Sequence, residues 1–244
     1  MFSLRQNGRM EPVPEDWQRA TLVVAHPDDA EYGAASAVAR WTSQGRAVSY
    51  VIATSGEAGI DGMEPAKAGP IREEEQRRSA AVVGVDHVEF LGHPDGSIDY
   101  GPVLRRDIAG ALRRLRPEIV LGMSFDLTWS SSEGDVVNHA DHRAVGLGVL
   151  DACRDAANRW LWPELGEPWT GVRAAFIVAS GEPTHYVDVT ATIEQGVASL
   201  KEHRLYIEGL GRDFDPDTFL RLMCEFGGAV AGCPLALLCQ RFKV

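Results

Sequence analysis

Thr21-Leu22-Val23-Val24-Ala25-His26-Pro27-Asp28-Asp29-Ala30-Glu31 is the stretch that decides the fold. Thr21 to Val24 is β-branched and apolar, the composition of a buried strand, and it delivers a histidine and two carboxylates together at its end. A neutral imidazole and a carboxylate suit Zn²⁺ or a similar divalent ion. A second, adjacent carboxylate left unligated can take a proton from a water at the metal, so the pattern suits hydrolysis. Pro-Asp-Asp is also good turn chemistry, and a histidine can end a strand half-buried without being a ligand. Alone, the segment leaves both readings open.

A second cluster, Asn138-His139-Ala140-Asp141-His142, stands at the start of a helix expected over about 140–158. His139 and His142 are three apart, so on a helix their rings share a face. An N-capped helix, with Asn138 as cap and Asp141 favourable near the positive end of the dipole, accounts for the Asn and the Asp. It leaves the two histidines unexplained.

Outward from these clusters the chain alternates strand and helix. Strands are expected at 20–25, 47–53, 87–91 and 118–123, and helices at 31–44, 71–84, 102–115 and 140–158. This predicts an α/β fold with an open, mostly parallel, Rossmann-like sheet and helices on both faces. In such sheets the functional crevice lies beyond the carboxyl ends of the strands. The His26 motif, the Gly56-Glu57 loop, the Gly92 to Gly96 loop and a Ser130 to Asn138 loop all follow strands and are expected to converge there. Further strands near 172–179 and 185–189 extend the sheet. Thr190 to Leu210 reads as an amphipathic helix with Ile193, Val197, Leu200 and Leu205 inward. Pro216 opens another helix, and the apolar Leu235 to Leu238 is expected to cover a sheet edge or a subunit partner in a homo-oligomer.

The 244 residues carry a formal net charge of −11 and are 45% hydrophobic, an ordinary globular composition. The acidic balance argues against nucleic acid and anionic lipid surfaces, which clustered Lys and Arg hold. Arg105-Arg106 and Arg113-Arg114-Leu115-Arg116 fall on one expected helix and read as a solvated face. No apolar run reaches the roughly 20 residues of a membrane span, and residues 1–18 lack a secretory pattern. Cys153, Cys224, Cys233 and Cys239 have no Cys-x-x-Cys spacing and read as reduced thiols of a cytoplasmic protein, with a Cys233–Cys239 disulfide as the alternative.

Ala25-His26-Pro27-Asp28-Asp29-Ala30-Glu31, followed far downstream by His139-Ala140-Asp141-His142, resembles the LmbE/PIG-L superfamily of zinc-dependent N-acetylglucosamine deacetylases. Thr54 to Gly59, Arg72 to Glu75, Phe90 to Gly96 and Arg116 to Val120 are similar to that family in the same order. The resemblance covers roughly residues 20–204, and implies one deacetylase domain with a C-terminal extension, 205–244, of unknown role.

The resemblance implies that His26, Asp29 and His142 ligate zinc and leave an open position, although Fe²⁺ and related ions suit the same donors. Asp28 then has the role of base. His139 is implied to stabilise the tetrahedral oxyanion, with Asp141 orienting its ring, or to serve as acid. Glu57, Arg72 and Asp95 match family positions that contact the sugar. Each has a plainer reading: a Ser-Gly turn, an ion pair with Glu75, and an Asp-Gly turn. Glu31 reads as a carboxylate at a helix start. His87, His93, His185 and His203 read as surface or packing residues. The implied substrate is a small amino-sugar conjugate losing its N-acetyl group. A related amidase acting on a larger N-acyl group is the nearest alternative. A nucleotide-binding dehydrogenase is disfavoured, because no Gly-x-Gly-x-x-Gly follows the first strand.

Overall fold

The computed structural model describes residues 10–131, 134–210 and 214–244. Its strands are β1 (Glu11–Pro12), β2 (Arg19–Val24), β3 (Ala47–Ile52), β4 (His87–Phe90), β5 (Ile119–Met123), β6 (Thr128–Ser131), β7 (Gly134–Val137), β8 (Ala174–Val178), β9 (His185–Asp188) and β10 (Ala236–Phe242). The α-helices are α1 (Asp29–Gly33), α2 (Ala35–Ser43), α3 (Pro65–Val82), α4 (Pro102–Leu115), α5 (Ala140–Ala157), α6 (Ile193–Leu200), α7 (Arg204–Gly209) and α8 (Pro216–Ala231).

Eight strands form one sheet in the order β1-β9-β10-β8-β5-β2-β3-β4, parallel except where β10 runs against β8 and β9. Both faces are buried. Leu22, Val24, Tyr50 and Ile52 point to the layer of α2, α3, α6 and α8, while Val23, Val51 and Val120 point to α4 and α5. This two-sided burial is why the strands read as continuous apolar runs and not as alternating ones. The connections from β2 and from β5 leave toward opposite sides of the sheet. The His26 segment therefore emerges at the topological switch point, where a crevice opens.

Several expectations are corrected. The expected 71–84 helix begins at Pro65, because Pro65 occupies a first-turn position whose missing N–H costs nothing, and the helix runs on through Pro70. The 190–210 helix is broken. The chain turns between α6 and α7, which buries His203 completely and leaves Leu205, expected inward, 40% exposed. Leu235 to Leu238 does not cover an edge, because β10 is an interior strand paired on both sides. The expected Ser130 to Asn138 loop is largely paired strand, with β6 antiparallel to β7, and its residues 132–133 lie outside the described residues. Arg113 is not part of a solvated face. It is 4% exposed, and its guanidinium donates to the carbonyls of Asp155, Ala156, Asn158, Leu161 and Trp162, tying down the chain beyond α5. Among the described residues no helix is long and apolar enough to cross a membrane.

Candidate active site

β2 ends in a turn that its own side chains close. Asp29 Oδ2 accepts from the N–H groups of Ala25 (3.1 Å) and His26 (2.8 Å), while the Asp29 N–H donates to the His26 carbonyl (3.3 Å). Between them Asp28 lies in the left-handed region, at φ 98° and ψ −27°. That conformation costs a non-glycine residue about 1–3 kcal/mol and persists only where neighbours hold it. Here Gln76 Oε1 accepts the Asp28 N–H at 2.9 Å, and Arg72 Nη2 donates to the Pro27 carbonyl at 2.6 Å.

The second cluster arrives on the first turn of α5. His139, and not Asn138, is the helix cap, its Nδ1 accepting the Asp141 N–H at 3.2 Å. Asn138 instead buries its amide under the site. Its Nδ2 donates to the carbonyls of Ser124 and Asp126, which leaves Oδ1 as the acceptor facing His142 Nδ1 at 3.1 Å. The proton of His142 is therefore on Nδ1, and Nε2 carries a lone pair.

The same logic applies to His26. Its Nε2 faces two carboxylates, Asp141 Oδ2 at 3.1 Å and Asp95 Oδ1 at 3.1 Å, so the proton is on Nε2. The remaining nitrogens, His26 Nδ1 and His142 Nε2, lie 3.2 Å apart with lone pairs toward each other. Asp29 Oδ1 sits 3.1 Å from His142 Nε2. Two ring nitrogens and a carboxylate oxygen directed at one point suit a shared cation, a proton between the rings or a metal ion among all three. His26, Asp29 and His142 thus fit a divalent metal, with Asn138, Asp95 and Asp141 fixing the rings from behind.

Asp141 is placed differently from its expected role. Its carboxylate accepts from the N–H groups of Gly96 (2.7 Å) and Ile98 (3.0 Å) and orients His26. Only its backbone N–H reaches His139. His139 is the exposed member of the cluster, its ring centroid 4.9 Å from that of His26 and 5.3 Å from that of His142.

The electrostatics favour positive charge at the centre. Burial works against a charged His26 ring, but Asp141, Asp29 and Asp95 outweigh it and hold its pKa well above the ordinary value. Burial also pushes the Asp29 carboxyl up, and the His142 and His26 rings reverse this and bring it well below the usual range. Asp28 goes the other way. Burial raises it to about 6, opposed by Arg72, whose Nη2 is 3.4 Å from Oδ2, and reinforced by the Asp29 charge. His139 is pushed down by burial and by the His26 and His142 charges.

The residues expected at the sugar sit on one side of this centre. Asp95 Oδ2 accepts from the Ala58 N–H, and Glu57 Oε1 accepts from the Asp95 N–H, so the two loops brace each other. Glu57 Oε2 is buried with no hydrogen-bond partner among the described residues. Arg72 is 2% exposed and points inward, donating to the carbonyls of Pro27 and Gly56 beneath the Tyr206 ring. It does not pair with Glu75, which accepts the Leu205 N–H. Gly56 and Gly59 leave room for this guanidinium, into which a Cβ at either position would collide. Glu31 and His203 pair with each other at 3.1 Å, and His93 faces Asp107 on α4. Asn138 and Gln76 carry site functions that the sequence reading did not assign. The available signal was spacing, since Asn138 precedes His142 by four and Gln76 follows Arg72 by four.

The family model for GlcNAc-PI de-N-acetylases (PIG-L) matches residues 21–153, more than half of the chain. The chain is 26% identical over 227 residues to a diacetylchitobiose deacetylase of Thermococcus kodakarensis, covering 89% of this chain and 80% of that one. It is 30% identical over 174 residues to 1D-myo-inositol 2-acetamido-2-deoxy-alpha-D-glucopyranoside deacetylase 2 of Saccharopolyspora erythraea, covering 61% of each. Its fold matches the N,N'-diacetylchitobiose deacetylase of Pyrococcus horikoshii with a TM-score of 0.82 at 22% identity, over 94% of this chain and 85% of that one. The chain belongs to the PIG-L (LmbE-like) family of N-acetylglucosamine-type deacetylases.

Proposed function

We propose that the chain is a zinc-dependent hydrolase that removes the acetyl group from a small N-acetylglucosamine-type conjugate, releasing acetate and the free amine. The observation that carries this reading is the pair of facing ring nitrogens of His26 and His142, closed by Asp29 and flanked by Asp28. Zinc suits two imidazoles and one carboxylate with a position left open, and when bound it supplies the positive charge that acidifies water and polarises a carbonyl.

The remaining steps belong to the protein. Asp28, raised to about 6, accepts the proton of the attacking water and returns it to the nitrogen as the C–N bond breaks. His139 has its Nδ1 occupied by the Asp141 N–H, so the neutral ring presents Nε2–H, which donates to the oxyanion as it forms. Asp141 and Asp95 keep His26 in the tautomer that directs Nδ1 inward. Glu57 Oε2, which has no hydrogen-bond partner among the described residues, accepts from a sugar hydroxyl beside Asp95. Arg72 serves the substrate indirectly, by holding the Gly56 and Pro27 backbone. We place the enzyme in the cytoplasm, where the buried free thiols Cys153, Cys224 and Cys239 stay reduced.

A larger N-acyl group is the second reading. It is favoured by Leu127, Val136 and Val137, which are exposed on the strand connection that carries Trp129 to within 5.7 Å of the His142 ring. Elemental analysis together with amine release from N-acetyl and longer N-acyl glucosamine derivatives tests both. Release from the acetyl compounds is expected, and fully zinc-loaded protein that hydrolyses none of them overturns the first reading.

A further inference from the structure

Gln76 has no part in the chemistry above, yet it is fully buried on α3 and both polar atoms of its amide are committed. Oε1 accepts the Asp28 N–H at 2.9 Å, and Nε2 donates to Glu31 Oε1 at 3.0 Å. Glu31 Oε2 lies 3.1 Å from His203 Nε2, and neither Glu31 nor His203 is more than 1% exposed. The chain of polar groups thus runs from the α6–α7 turn through α1 to α3 and ends on one peptide N–H. Burying three polar side chains costs desolvation at each, and an apolar core would not incur it. What these groups achieve is local: they provide an acceptor for the N–H of the residue held at φ 98°.

We propose that Gln76, anchored by Glu31 and His203, is a positioning residue that aims the Asp28 carboxylate by fixing the Asp28 peptide. The proposal rests on Asp28 being the base. Without the Gln76 acceptor the Asp28 N–H is buried and unpaired, and relaxation of φ toward ordinary values swings the Cα–Cβ bond, and the carboxylate with it, away from its position. Asp29 is held independently, by Ala25 N–H, His26 N–H and the His26 carbonyl. Gln76 therefore governs the base and leaves the metal ligand beside it undisturbed.

The test compares Gln76→Met with Asp28→Asn and with the exchange Glu31→Gln plus Gln76→Glu, all as the zinc-loaded full chain. Gln76→Met keeps the side-chain length and removes both hydrogen bonds. Amide exchange at Asp28 is expected to accelerate tenfold or more and kcat to fall ten- to a hundredfold, with KM and zinc content unchanged. In the exchanged pair the carboxylate accepts from both sides and the amide at 31 bridges it to His203, so Asp28 protection and kcat are expected to return to within a few fold of the original. Wild-type turnover in Asp28→Asn overturns the base reading itself. An inactive Asp28→Asn beside a Gln76→Met with unchanged kcat or unchanged Asp28 exchange overturns the positioning role alone. If Gln76→Met does not fold, the exchanged pair decides: native Asp28 protection without recovered turnover overturns the proposal.

Discussion

His26 Nδ1 and His142 Nε2 approach to 3.2 Å across 116 residues of chain, each ring held from behind by an acceptor on its other nitrogen. Asn138 and the Asp141 and Asp95 carboxylates thereby turn the two remaining ring nitrogens toward one another. The fold thus holds the two donors ready for a cation to bridge.

Removing one ring should therefore remove the metal and not the fold. His142→Ala is expected to lose bound metal and activity together, while circular dichroism stays native because the ligands sit beyond the strand ends. Chelation of the wild-type protein should lower Tm, since a ligand bound only by the native state stabilises it. Full zinc occupancy in His142→Ala, by elemental analysis, would remove His142 from the ligand set.

Asp28 and Asp29 are neighbours with opposite surroundings, one raised to about 6 by burial and the other drawn well below the usual range by His142 and His26 against its burial. Asp28→Ala is expected to bind metal nearly normally and lose kcat by roughly two to four orders of magnitude, the range of a general base. Asp29→Ala is expected to weaken the metal. Metal affinity and turnover measured on both variants check the assignment, and the opposite pattern would exchange the roles.

The two clusters that meet in the candidate site were legible because metal-type residues crowd into two short windows, 26–29 and 139–142, and the family resemblance singled out His26, Asp29 and His142 among them as the expected ligands. The partners of those residues were not legible. Asp141 stands beside His139 in sequence but serves His26 in space, and no local pattern reports which ring a carboxylate faces. Glu31 and His203 are 172 positions apart, so their pairing depends on where the α6–α7 turn packs. Strand β10 has an ordinary apolar sequence, and its interior place in the sheet is a matter of tertiary pairing. Arg113 reads as a surface charge because nothing local announces the backbone carbonyls it caps.

Arg113 consequently carries a stability prediction. Arg113→Met removes the guanidinium from the Leu161 carbonyl and takes one of two donors from the Asn158 and Trp162 carbonyls, which keep the Leu161 and Leu165 N–H groups, and hydrogen bonds to a charged donor contribute about 1.5–3 kcal/mol each before relaxation. A loss of about 3 kcal/mol in urea unfolding is expected, with kcat of the folded fraction unchanged. A change under about 0.5 kcal/mol, the range of ordinary surface substitutions, would show that the loop re-forms its bonds without the guanidinium.

His203 carries a pH prediction. Burial disfavours its charged form, but Glu31, with Asp28 and Glu75 nearby, outweighs burial and raises its pKa above the ordinary 6.5. A raised folded-state pKa contributes stability that is fully present below the unfolded value and is lost as pH rises through the folded one. The stability difference between wild type and His203→Gln, from urea midpoints, is therefore expected to be largest below about pH 6.5 and to shrink on the alkaline side. A difference that grows with pH would mean that the ring is buried neutral.

His139 combines two roles that substitution can separate. Its Nδ1 caps α5 through the Asp141 N–H, and this same bond directs Nε2–H outward as a donor. His139→Ala loses both. Stability should fall by about 1 kcal/mol for the missing cap, and kcat by roughly a hundredfold or more for the missing oxyanion donor, with KM and metal content little changed. His139→Asn restores a good cap residue but is too short to reproduce the donor, so it should recover Tm and leave kcat low. Recovery of kcat along with Tm in the Asn variant would reduce His139 to a helix cap. A loss confined to KM would make it a ground-state substrate contact, and a loss of zinc would make it a fourth ligand.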